Sequence, residues 1–149
     1  MENIEKPVCG TFIRLERYKN ELLKHIEKCV SAEEIKLTVG WYLLVGTSSG
    51  LKKDLLLKTI VDNKELLEIA ESLTEEEVQN GRKPPLFRKG DVVEVIVNAK
   101  NITYHMGLIS EIIYHFKEKE WMYYITENNK KVSKRYGSQD LRLIKKAGI

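Results

Sequence analysis

Apolar side chains recur at three- and four-residue steps through the first half of the chain and at two-residue steps through the second, which predicts helices followed by strands. Between Thr11 and Val30, the residues Phe12, Leu15, Tyr18, Leu22, Ile26 and Cys29 make one stripe of an amphipathic helix. Ser31-Ala-Glu-Glu34 has the form of a capping box, with the Ser31 hydroxyl accepting from the Glu34 amide and the Glu34 carboxylate from the Ser31 amide. The helix it opens, Ala32 to Val45, is apolar around most of its circumference and is expected at the centre of a bundle. Gly40 and the β-branched residues make a buried strand the competing reading. Gly46 to Gly50 is a break of turn residues, after which Leu51 to Ile60 and Lys64 to Leu73 read as shorter helices. The second of these opens on Asp62-Asn-Lys-Glu65, and Thr74-Glu-Glu-Glu77 repeats the capping signal for a final turn or two.

Beyond Pro84-Pro85 the period changes to two. Leu86 to Val97, Gly107 to Phe116, Trp121 to Thr126, Lys131 to Tyr136 and Asp140 to Ile144 are five short predicted strands, with Val93, Val95 and Val97 pointing one way. Glu127-Asn-Asn-Lys130 is a tight turn, because Asn tolerates positive φ. Short strands at such regular spacing predict a small, strongly bent barrel.

Charge divides the chain at the same place. Up to Gly81 there are 11 Lys+Arg and 15 Asp+Glu, net −4, and from Arg82 onward 14 and 7, net +7. The expected organisation is therefore α+β, with an acidic helical domain over 1–81 and a basic strand domain over 82–149. The chain's 149 residues suffice for a core without disulfide or metal staples. Cys9 and Cys29 are the only cysteines, and with mostly helix between them they stand about 25–30 Å apart, too far to bridge. They also fit no common zinc spacing. Met1 to Pro7 lacks the pattern of a secretory signal and no apolar run reaches the about 20 residues of a membrane span, which predicts a cytoplasmic protein without membrane contact.

Lys89-Gly-Asp-x-Val93-x-Val95, Gly107-x-Ile109-x-x-Ile112, the aromatic run Trp121 to Ile125, and Asp140-Leu-Arg-Leu143 together resemble the SH3-like small barrels of the Tudor and KOW kind over roughly 86–145. The resemblance implies a C-terminal five-stranded barrel that recognises a ligand without catalysis. It names no ligand, and the first 81 residues resemble no family.

No catalytic, cofactor or metal pattern accompanies it. Gly46 to Gly50 lacks the glycine spacing and terminal Lys-Ser/Thr of a phosphate loop, and a helix-turn-helix reading around it meets Asp54 and a net acidic half. Glu111 and His115 lie about 13 Å apart along a strand, beyond hydrogen-bonding reach, and His25, Glu21 and Cys29 read as a helix surface. The candidate binding residues are Trp121, Tyr123, Tyr124 and Tyr136, as rings that stack bases or line a pocket, with Lys130, Lys131, Lys134, Arg135 and Arg142 as the cations interleaved with them. That pattern favours nucleic acid as partner, by a narrow margin over a peptide or protein held by an adaptor. The apolar Ile35 to Val45 segment additionally offers a route to homo-oligomers through the helical domain.

Overall fold

The computed structural model describes residues 10–148, so the Cys9 to Cys29 separation and the character of Met1 to Pro7 lie outside the described residues. The chain divides into two compact units, one ending at Pro84 and the other beginning at Pro85. Among the described residues no helix is long and apolar enough to cross a membrane.

The first unit is helical, with α1 (Gly10–Ile26), α2 (Ala32–Ser48), α3 (Lys53–Lys58), α4 (Lys64–Ser72) and α5 (Glu75–Gln79). Of the α1 stripe, Tyr18 and Leu22 are buried, Phe12 is exposed, and Cys29 falls beyond the helix end. α2 is a helix and not a strand, and it is the central one: Val39, Tyr42 and Leu43 are buried among Leu22, Leu56, Leu66 and Ala70 from the helices around it and Ile60 from the turn after α3. Ser31 caps it, the hydroxyl accepting from the Glu34 amide at 3.2 Å. The Glu34 carboxylate accepts from the Val30 amide at 3.2 Å, one residue earlier than the capping box predicts. Asn63, not Asp62, caps α4, accepting from the Leu66 amide at 3.2 Å. The box at Thr74 and Glu77 is complete in both directions, at 3.1 and 2.9 Å.

Small residues set how closely the chain approaches α2. A Cβ on Gly81 would overlap the Trp41 nitrogen and the Gly40 carbonyl carbon, and one on Gly40 would meet the Glu77 oxygen at 3.1 Å. This contact puts the Arg82 amide 2.9 Å from the Leu37 carbonyl, fixing the exit from α5.

The second unit is a six-stranded antiparallel sheet of β1 (Val92–Val95), β2 (Met106–His115), β3 (Glu120–Glu127), β4 (Lys130–Lys131), β5 (Tyr136–Gly137) and β6 (Leu141–Lys145). The order is β4-β3-β2-β1-β6, with β5 also pairing with β3. Asn128 and Asn129 take φ values of 51° and 67°, which is the conformation a tight β3–β4 turn requires. Alternation holds where it matters: Val93, Val95, Ile109, Tyr123, Ile125 and Leu141 are buried with Phe87 and Tyr136, whereas Val97 is exposed.

Two expectations are corrected. The chain is α+β, but β4 and β6 end the sheet without pairing, so it is not closed into a barrel. There are six strands and not five, because Lys131 to Tyr136 does not form one continuous strand. Val132 still donates to Ile125 at 2.8 Å, after which Ser133 to Arg135 leave the ladder and pairing resumes only at Tyr136.

Candidate functional site

That interruption builds the most chemically distinct place in the sheet unit. The β1–β2 loop is folded on itself by Asn98, whose side-chain oxygen accepts from the Lys100 and Asn101 amides at 2.8 and 2.9 Å while its own amide donates to the Asn101 carbonyl at 2.9 Å. Such an Asx turn is what Asn does in place of a ladder. It presses Asn101 inward, to 2% exposure. Between this loop and the β4–β5 segment lies a cavity of 240 Å³, with Asn101, Ile102 and His105 on one side and Val132, Lys134 and Tyr136 on the other.

Lys134 crosses from one wall to the other. Its Nζ donates to the Asn101 Oδ1 at 2.6 Å and the Lys100 carbonyl at 3.3 Å, and sits 5.6 Å from the centre of the Tyr136 ring. All three partners are neutral. Lys100 is placed differently, 3.4 Å from the buried carboxylate of Asp140, which also accepts from the Gly137 amide at 3.0 Å. Asn101 Nδ2 has no hydrogen-bond partner although it is buried. At the rim, His105 and Glu127 pair at 2.8 Å, and Glu127 also accepts from the Met106 amide at 2.9 Å. The His105 bond first, and the Met106 amide second, hold the Glu127 carboxyl below the usual range.

The residues expected to form a ring-lined basic surface are thus sorted into several roles. Tyr123 is fully buried, its hydroxyl accepting from the Leu86 and Phe87 amides at 2.8 and 3.4 Å, so it belongs to the core and not to a surface. Tyr136 is buried too, lines the cavity, and has its hydroxyl pKa raised by burial and then by Asp140. Half-buried Trp121 stacks edge-on against Tyr114 at 5.1 Å, and Tyr114 against Phe116 at 5.0 Å. Half-buried Tyr124 lies under Lys131, 4.3 Å from its ring centre, while that lysine pairs with Glu111 at 3.0 Å. Arg142 pairs with Glu94 at 3.5 Å, and Lys130 and Arg135 are exposed. Only Lys134 and Tyr136 of the nine reach the cavity. Lys100 and Asn101 carry no signal that the sequence reading used, and His105 stands outside its set of binding residues. Among the described residues no group of three or more His, Cys, Asp or Glu is placed to hold a metal ion.

Residues 70–142 are similar to a family of unknown function (DUF6960). The matched stretch runs from within α4 into β6 and contains every residue of the cavity. No curated protein and no solved structure matches the chain.

Proposed function

We propose that the sheet unit is a non-catalytic recognition module of SH3-like topology left open, and that it holds an anionic partner, nucleic acid, at the cavity between the β1–β2 loop and the β4–β5 segment. The observation that carries this reading is the electrostatic state of Lys134. Lys131 and Arg142 each face a carboxylate and Lys100 faces Asp140, whereas Lys134 is held in place by an amide oxygen, a carbonyl and a ring. Its position is fixed and its charge is uncompensated, so an arriving phosphate meets an ordered cation without first displacing an acid. Exposed Lys130 and Arg135 extend the positive charge along the same segment, which suits a polymer better than a single small anion.

A protein partner is the second reading. It is favoured by Phe116, 66% exposed at the end of the ring row that continues through Tyr114 and Trp121.

Fluorescence anisotropy with a labelled single-stranded oligonucleotide tests the first reading. Affinity is expected to fall steeply with salt, and Lys134→Glu with Arg135→Glu to weaken binding at least tenfold and to lower the salt slope by about 1–2. Binding to a protein that ignores salt and survives both substitutions, with no affinity for oligonucleotides, would select the second reading.

A further inference from the structure

The two end strands of the sheet are guarded against further pairing. β4 is two lysines long, and β6 carries Arg142 and Lys145 and bulges at Ile144, between the partners of Val93 and Val92. The upper part of β2 has no such protection. Among the described strands, β1 pairs with β2 only over Met106–Leu108, so beyond the bulge at Ser110 the strand has β3 on one side and no strand on the other. Glu111-Ile-Ile-Tyr-His115 contains no Lys, Arg or Pro, the residues that keep an open edge from pairing. We propose that a second copy of this chain pairs there, β2 against β2 in antiparallel sense about a two-fold axis at Ile113. This contact is independent of what the cavity holds.

The main chain sets the register. Ile125 turns its carbonyl to the Val132 amide at 2.8 Å, away from β2, so its neighbour Tyr124 turns toward β2. Tyr124 stands opposite Glu111, and alternation then directs Glu111 and Ile113 at β3 and Ile112 and Tyr114 at the open side. In a two-fold pair centred on Ile113 those outward residues meet, Ile112 opposite the second copy's Tyr114, and each such pair exchanges both main-chain bonds.

Side chains fit the same register. Glu111 falls opposite the second copy's His115, with about 5 Å between β carbons. His115 Nδ1 accepts from the Glu118 amide at 3.1 Å, so the ring hydrogen lies on Nε2, a donor for a carboxylate. Glu111 accepts from Lys131 through Oε1 at 3.0 Å, and a carboxylate has capacity for a further bond. Ile113, 44% exposed, meets its own copy on the axis, and Ile112 against Tyr114 pairs a β-branched with an aromatic side chain. A register centred on Ile112 sets Glu111 against Ile113 and loses the acid and histidine pair.

Glu111 to His115 is a short contact beside the about 20–30 residues a side of a standard interface, so the dimer is expected to be weak, with a Kd on the order of 10–100 µM. Sedimentation equilibrium of the full chain should show a mass rising from 17.3 kDa toward twice that as concentration passes through this range. Ile113→Lys puts two ammonium groups on the axis and should weaken association at least tenfold. Circular dichroism checks that this variant, altered at an exposed position, keeps its fold. A covalent readout traps the same contact: with Cys9→Ser and Cys29→Ser, Ile113→Cys should form a disulfide on mild oxidation. Facing α carbons in such a pair stand about 4.5 Å apart, within the about 4.4–6.8 Å that a disulfide spans. Leu108→Cys, equally exposed on the same strand but where β1 occupies the edge, should cross-link far more slowly. A mass of 17.3 kDa throughout, a dimer that Ile113→Lys leaves intact, or cross-linking as fast at Leu108→Cys as at Ile113→Cys would overturn the proposal.

Discussion

Half-buried Lys36 of the helical unit and exposed Lys134 of the sheet unit are both anchored, but by opposite kinds of partner. Lys36 closes on the Glu77 carboxylate, whose hydrogen bond and then whose charge raise the lysine pKa, while the Lys36 bond and then the Thr74 amide lower that of the acid. Lys134 is held by neutral groups alone. The same contrast holds for orphaned ring and amide nitrogens. His25 Nδ1 is buried without a partner, yet its ring lies edge-on to Trp41 at 5.3 Å, where it serves packing. Asn101 Nδ2 is buried without a partner in a residue that lines a cavity and whose amide oxygen holds the Lys134 ammonium. The comparison teaches that an unpaired buried nitrogen by itself distinguishes nothing, and that the two places differ in the charge that lies beside it.

Three further measurements would break or sharpen the contrast. The largest effect is expected at Gly81, whose Cβ would collide with the backbone of Gly40 and Trp41. Gly81→Ala forces the chain away from α2 and should cost about 3 kcal/mol in urea denaturation; a cost near zero would mean that the close approach is not what holds α5 in place. Tyr123→Phe should come next, at about 1–2 kcal/mol, because it strands the Leu86 amide that the hydroxyl serves at 2.8 Å. If instead this variant folds normally but loses oligonucleotide binding, Tyr123 is a ligand contact and not part of the core.

The smallest effect concerns His25. Burial first, and then Lys83, Lys28 and Lys24, lower its pKa from 6.5 to about 4. The unfolded chain therefore binds a proton across that window which the folded chain does not, so the neutral ring's contribution is complete above pH 6.5 and is lost as pH falls toward 4. The thermal midpoint should decline over that interval in the native protein, and His25→Phe should flatten the slope. An unchanged slope in the variant would assign the decline to groups other than His25.

The elements that the sequence shows plainly are those built by near neighbours. Thr74 and Glu77 reach each other within one turn, the Asn128-Asn129 turn needs only local φ values, and the alternation of Val93 and Val95 survives because one side of the sheet is buried. The site is different in kind, since its two walls come from loops more than 30 residues apart and neither has a period. Asn101 sits in a polar stretch that resembles any connector. The signal present was Asn98 spaced three residues before Asn101, a spacing that lets one Asn side chain gather the amides ahead of it. The rings misled for the opposite reason: Tyr123 and Tyr136 occupy strand positions whose inward direction depends on the bend of the sheet, which single-strand alternation does not encode.

One consequence follows from the gap between β4 and β5. Ser133, Lys134 and Arg135 contribute no rung to the sheet, so their replacement leaves the pairing of Tyr136 with Tyr123 undisturbed. On the proposed reading, specificity can drift in this short tripeptide while the sheet stays constant, which makes it the natural segment to exchange when a different ligand is wanted.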